Sequence, residues 1–282
     1  MSLVLLLLAC HRAPPPANPE FTDAVKQTFV AFDAPNVEIA YAIRALEGVV
    51  TDGSLDLTSN NSLDRSFAPE DLTESDVTGF THPDVPPEGA LPVAVVGLSP
   101  FPLEDHQHIQ LLADQTPVEP YSPNTYVRTF LDGDDCWIDH TCERLETSNS
   151  LVKENMLMTV PYDFMKTFRW IDLNLPDPAD VPADTEAPTV SADPRWCYIA
   201  RSWQEDSFIG DGGDTTLVQS YTIEVWYPHE ETGGVMRALS VWSQTDLSIN
   251  VSDDMIAGTI RIGVDDNFKA GDQWLEDNFG QP

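Results

Sequence analysis

From about Thr125 onward, apolar and polar positions alternate. In 216–227, TLVQSYTIEVWY, Leu217, Tyr221, Ile223, Val225 and Tyr227 share one face, and Ser220, Thr222 and Glu224 share the other. A period of two predicts half-buried antiparallel strands. In MIAGTIRIG, Ile256, Ile260 and Ile262 oppose Thr259 and Arg261, which predicts a strand over 256–263. Further strand-like runs occupy 125–131, 143–148, 151–160, 162–173, 195–203 and 235–242. Asp211-Gly212-Gly213-Asp214 and Gly233-Gly234 mark turns between them. The Pro/Asp/Ala-rich stretch 174–194 reads as a long loop.

The first half has a longer period. Phe21, Val25 and Phe29 recur every four residues. Asp33 is placed to cap a second helix, with Pro35 in its first turn and Ile39, Ile43 and Leu46 as its stripe. Asp52-Gly53 turns the chain. Prolines punctuate 51–92, leaving room for a short helix near Leu72–Val77. Val93–Val96 reads as a strand, Leu103–Ala113 as a helix, and Asp266–Phe279 as a last helix with Phe268 and Leu275 facing the sheet. The fold class is therefore α+β: N-terminal helices, then an antiparallel β meander forming a curved sheet or partial barrel, and a C-terminal helix. One globular region spans 21–282, mostly helical over 21–115 and mostly β over 120–282. A curved meander with a helix against it can enclose a cavity, as lipocalin-like barrels and helix-grip folds do; this is architectural analogy alone.

The stretch SLVLLLLACHRAPPP precedes this region. Six apolar residues are too few to span a bilayer, and Pro14-Pro15-Pro16 cannot enter a sheet interior. Leu7-Leu8-Ala9-Cys10 resembles the lipobox of bacterial lipoproteins. That resemblance implies a signal peptide over 1–9, a lipidated Cys10 and a Pro-rich tether over 10–20. It also implies a membrane partner through the lipid anchor. With His11 rather than Asp after the cysteine, it implies anchoring at the outer membrane of the cell envelope.

Charge narrows the partners. Lys+Arg 14 against Asp+Glu 47 gives a net charge of -33, which repels nucleic acid and anionic headgroups. The acids are scattered and show no ordered calcium spacing. In an exported chain Cys136 and Cys142, six apart in CWIDHTC, are the expected disulfide, with Cys197 a buried free thiol in RWCYIA. Zinc on Cys136, His140 and Cys142 is the competing reading and lacks a fourth ligand.

His106 and His108 would share a face in a strand and could then hold a metal, but not in the helix that Ile109, Leu112 and Ala113 continue. No cofactor is implied. No GxSxG, P-loop, HExxH or EF-hand pattern occurs, and with 47 acids a carboxylate pair is uninformative. Arginines beside aromatics in the strands stand out: Arg169 with Trp170, Arg195 with Trp196, Arg201 near Trp203, Arg237 near Trp242. Either each pairs with an acid and stacks on a ring, or they line a cavity and hold the anionic group of a small amphiphilic ligand. Arg169, Trp170, Arg201, Trp203, Arg237 and Trp242 are the candidate ligand-binding residues. A binding module ranks first, an envelope interaction or structural protein second, and a hydrolase or metalloenzyme third.

Overall fold

The computed structural model describes residues 21–51, 55–155, 158–182 and 185–282. The signal peptide, Cys10, the tether and the Asp52-Gly53 turn lie outside the described residues, as does the side chain of Phe21. Two helices open the described chain, α1 (Phe21–Val30) and α2 (Asn36–Val50), joined by a 3-10 turn, Ala31–Asp33. Nine strands follow: β1 (Ser66–Phe67), β2 (Leu91–Ser99), β3 (Tyr126–Asp132), β4 (Leu145–Glu154), β5 (Thr159–Asp172), β6 (Trp196–Trp203), β7 (Phe208–Ile209), β8 (Thr215–His229) and β9 (Gly234–Leu247). Helix α3 (Leu103–Gln110) sits between β2 and β3, and α4 (Asp253–Phe279) closes the chain. The α+β arrangement expected from the sequence is the one observed.

The strands form one open antiparallel sheet in the order β1-β2-β9-β8-β6-β5-β4-β3, with β7 on β8. Hairpins connect most neighbours. The connection from β2 to β3 crosses from one side of the sheet to the other and carries α3. The last helix packs on β2 and also on the Thr116–Val118 turn that leads into β3, so it bridges both sides of the curved sheet.

The two sheet faces carry different loads. One is roofed by α1 and α2: Phe29, Phe32, Ile39, Ile43 and Leu46 pack with Ile171, Ile199, Tyr221, Ile223 and Trp242. The other faces α3 and α4. There Val95 meets Val264 and Phe268, while Trp137, Phe168, Trp170, Tyr198 and Trp226 form an aromatic cluster. Gly97 makes the α4 contact possible, because a Cβ there would lie 2.7 Å from the Phe268 ring.

Several elements depart from expectation. Residues 256–263 are helical and belong to α4. Ser252 caps that helix by accepting from the Met255 amide at 3.4 Å. The ambiguity is physical: a spacing of four, as between Ile256 and Ile260, fits both periods. Ile262, which fits only the strand, is 53% exposed. The register Ile260, Val264, Phe268, Gly271, Leu275 runs down the inward side of α4. Run 151–160 is not one strand; β4 ends at Glu154 and β5 begins at Thr159, with the Asn155 side chain accepting from the Met158 amide between them. No helix forms near Leu72–Val77. Asp76 accepts from both the amide and the hydroxyl of Thr73 and holds a turn, which still buries Leu72 and Val77. The cap of α2 falls on Pro35, leaving Asp33 free for other work.

Candidate functional site

A cavity of about 270 Å³ lies between the sheet and α4. Six strands reach it, each by alternate residues: Tyr126 and Arg128 of β3, Leu151 of β4, Phe164 and Lys166 of β5, Ser202 of β6, Glu224 of β8, Leu239 and Val241 of β9. Ile260, Gly263, Val264 and Phe268 of α4 form the lid. Leu217 joins them because a bulge between Leu217 and Gln219 shifts the register and turns Leu217 away from the face of Tyr221. The polar face of β8, Ser220, Thr222 and Glu224, thus looks into this cavity rather than out to water.

The walls are mixed in a graded way. Tyr162, Phe164, Met158, Thr259, Ile260 and Gly263 are half-buried and gather where the β4–β5 hairpin faces the first half of α4. Deep inside, the charged groups are nearly sealed: Arg128 is 3% exposed, Lys166 and Glu224 8% each. The Lys166 ammonium donates to the Glu224 carboxylate across β6. Burial pulls the Lys166 pKa below its usual value, against the pull of Glu224. Arg128 Nε donates to Asn149 Oδ1 at 3.0 Å and Nη1 to the Gln110 carbonyl at 2.8 Å. Arg128 and Lys166 both sit over the Phe168 ring, at 5.3 and 5.1 Å from its centroid. Burial pushes the Tyr126 hydroxyl up to about 12, and that of Tyr162 higher, so both are neutral donors near pH 7.

A second network closes the α4 side. Arg237 Nη2 donates to Asp272 Oδ2 at 2.9 Å and Nη1 to the Phe268 carbonyl at 3.0 Å. Ser99 Oγ donates to Asp272 Oδ1 at 2.7 Å, and the His106 ring nitrogen Nε2 lies 2.8 Å from Ser99 Oγ. Serine, histidine and aspartate meet here in the wrong order for nucleophilic catalysis. The hydroxyl proton points to the carboxylate, which binds the serine instead of orienting the imidazole, so His106 is not placed as the base of a catalytic triad.

The six arginine and tryptophan candidates do not converge. Arg169 and Arg201 lie on the α1–α2 side. Arg169 donates to the Phe32 carbonyl and, at 3.2 Å, to that of Ala34. Arg201 donates to Asp33 and lies 4.3 Å over the Phe32 ring and 4.5 Å over Phe80. Trp203 stacks on Phe80 at 4.8 Å on that same side. Trp242 also faces the roof and donates to the Glu70 carbonyl at 2.9 Å. Trp170 points to the opposite face and donates to the Trp137 carbonyl at 3.0 Å. Of the six, only Arg237 lines the cavity. The expectation that Arg169 and Arg201 face a ligand is corrected: helices cover them, and backbone carbonyls, Asn36 and Asp33 take their terminal guanidinium donors. Arg195 pairs with Glu47.

Adjacent strand residues point to opposite faces, so an Arg-Trp dipeptide is no cavity signal. The informative spacing is two. In YVRTFLD, Tyr126, Arg128 and Phe130 share a face, and that segment holds the cation sequence reading passed over.

Cys136 and Cys142 are joined, with Cα atoms 5.4 Å apart, and Cys197 is a buried free thiol. The thiolates of the zinc reading are thereby consumed. The disulfide loop inserts Trp137, fully buried, against Phe168, Trp170 and Tyr198. Within α3, His106 turns to Ser99 while the His108 ring lies 5.2 Å from Phe279, so the two imidazoles meet different partners. Among the described residues no group of three His, Cys, Asp or Glu could hold a metal ion, and no helix is long and apolar enough to cross a membrane.

No protein-family model matches the chain. No curated protein matches it in sequence. Solved structures show a loose likeness. TTHA0849 from Thermus thermophilus is 13% identical, with a TM-score of 0.37, over 65% of this chain and 96% of that one. Ara h 8.0201 is 14% identical, with a TM-score of 0.35, over 67% and 100%. A STAR-related lipid transfer protein fragment from Xanthomonas axonopodis is 10% identical, with a TM-score of 0.40, over 67% and 87%. At such scores the likeness is one of general shape, and the site is read from its own geometry.

Proposed function

We propose that this protein is a binding module that takes one small, largely apolar ligand between its sheet and α4. One observation carries the reading: an apolar and aromatic cavity whose half-buried rim leads to a sealed polar floor. Its volume, about 270 Å³, is near the lower edge of the range of roughly 300–1,000 Å³ common to small-molecule sites. The apolar and aromatic side chains along its walls offer dispersion contacts to an apolar body.

The test uses an uncharged probe, N-phenyl-1-naphthylamine, whose fluorescence rises in apolar surroundings. Saturable binding at one probe per chain is expected, lost in Ser220→Trp, which fills the cavity from β8, while thermal unfolding stays unchanged. Absence of saturable binding, or unchanged binding in the filled variant, overturns the reading and favours an envelope interaction protein.

The anchor completes the proposal: Cys10 carries the lipid that holds the domain at the cell envelope. Cys10→Ser should move the protein from the detergent phase to the aqueous phase in Triton X-114 partition. Retention of the variant in the detergent phase overturns it.

A further inference from the structure

The floor of the cavity carries an unbalanced charge. Arg201, Arg237, Arg195, Lys153 and Lys166 each have a carboxylate within salt-bridge distance. Arg128 forms no such pair among the described residues. Its identified acceptors, Asn149 Oδ1 and the Gln110 carbonyl, are both neutral. Arg169, equally buried, likewise has only neutral acceptors, but it has three of them, the Phe32 and Ala34 carbonyls and Asn36 Oδ1, under the α1–α2 roof, whereas Arg128 has two and faces the cavity. Arginine cannot relieve this by losing its proton, and a buried unpaired cation is costly. Lys166, over the same Phe168 ring, adds a second positive charge, and Glu224 cancels only one of the two.

Two donors that one anion can share lie side by side. Tyr126 and Arg128 project from β3 two residues apart, on one face, and both line the cavity. The Tyr126 hydroxyl feels the guanidinium directly, its upward shift from burial being opposed by Arg128. Nε and Nη1 of Arg128 are committed to protein acceptors, which fixes the plane of the guanidinium. One carboxylate would restore neutrality at the floor, where a dianion would overshoot it.

Resting on the cavity reading above, we propose that the ligand is a monocarboxylate amphiphile, its carboxylate held by Arg128 and Tyr126 and its apolar body running outward between the sheet and α4. Charge-assisted hydrogen bonds on a buried floor are the strong ones, and they make Arg128 the residue that selects acid over neutral ligand.

The experiment compares decanoate with decanol by isothermal titration at pH 7.5. It uses the full chain carrying Cys10→Ser, so that no attached acyl chain competes. Decanoate should bind about tenfold or more tighter than decanol. Arg128→Met should remove that preference by weakening decanoate about tenfold more than it changes decanol. Tyr126→Phe, a gentler change, should reduce the preference severalfold and serves if Arg128→Met does not fold. Equal affinity for the two probes in the parent chain, or an undiminished preference in the variants, overturns the carboxylate proposal while leaving the cavity reading intact. Failure of both probes and of the naphthylamine overturns the cavity reading itself.

Discussion

Arg201, in the middle of β6, donates to Asp33, the last residue of the 3-10 turn between α1 and α2. The contact ties the helical roof to the sheet across 168 residues of sequence. Burial works against the Asp33 charge, yet the Arg201 and Arg144 guanidiniums hold its carboxyl below the usual range. Arg201→Ala should cost about 2–4 kcal/mol, because the buried side gives up both the ion pair and its packing on Phe32 and Phe80. Asp33 is half-exposed, and Asp33→Asn should cost less. Urea unfolding of both variants checks the order. Ligand binding should survive in whichever variant stays folded, since neither residue lines the cavity.

Lys166 and Glu224 give a sharper test of buried charge. Glu224→Leu alone should destabilise by about 3–5 kcal/mol, since it strands a buried ammonium. Adding Lys166→Met should recover most of that loss, because the pair's mutual attraction only roughly offsets its desolvation. A double-mutant cycle in urea measures the coupling. The double variant should still bind the uncharged naphthylamine.

Acid should weaken the fold in two stages. Burial and the neighbouring Arg237 push the His106 pKa well below its ordinary value, so the folded imidazole stays neutral beside Ser99, with Asp272 on the far side of that hydroxyl. The unfolded histidine takes up a proton near pH 6.5. The unfolded state then binds more protons, and stability falls as pH drops below about 6.5, by at most about 1.4 kcal/mol per pH unit. Asp33, Asp76 and Asp265, each held below the usual carboxylate value, add a second loss below about pH 4, as they protonate. Thermal melts from pH 8 to pH 5 should show a shallower slope in His106→Gln, which keeps a donor toward Ser99, than in the parent; the remainder comes from His140, which burial also holds below its ordinary value.

The disulfide should be worth about 2 kcal/mol, as expected for so short a loop. Cys136→Ser should lower stability by that amount and loosen the Trp137 plug, visible as a red shift of tryptophan emission. Cys197, fully buried and with its pKa pushed well up by burial, should react with iodoacetamide only in denaturant. Alkylation of Cys197 in the folded protein would contradict its placement beneath α2.

Much of the architecture is legible from period alone. The alternation of Tyr221, Ile223 and Val225 with Thr222 and Glu224 names β8 as a strand with two unlike faces, and the spacing of Ile39, Ile43 and Leu46 names α2. Cys136 and Cys142 are close enough in sequence for their pairing to follow from spacing and the expected exported context. What period cannot supply is the identity of whatever covers each face. Thr222 and Glu224 read as a solvent-facing row, yet Glu224 ends on the buried floor of a cavity because α4 bridges β2 and the approach to β3. Arg169 and Arg201 read as ligand contacts, yet α1 and α2 lie over them. Arg128 looks unremarkable in sequence and becomes distinctive only because the strands beside it bring Asn149, Phe168 and Lys166 against it and bring no acid. Alternation along a strand is a local consequence of backbone geometry. The occupant of a face is set by contacts between segments more than a hundred residues apart, and only the folded chain decides those.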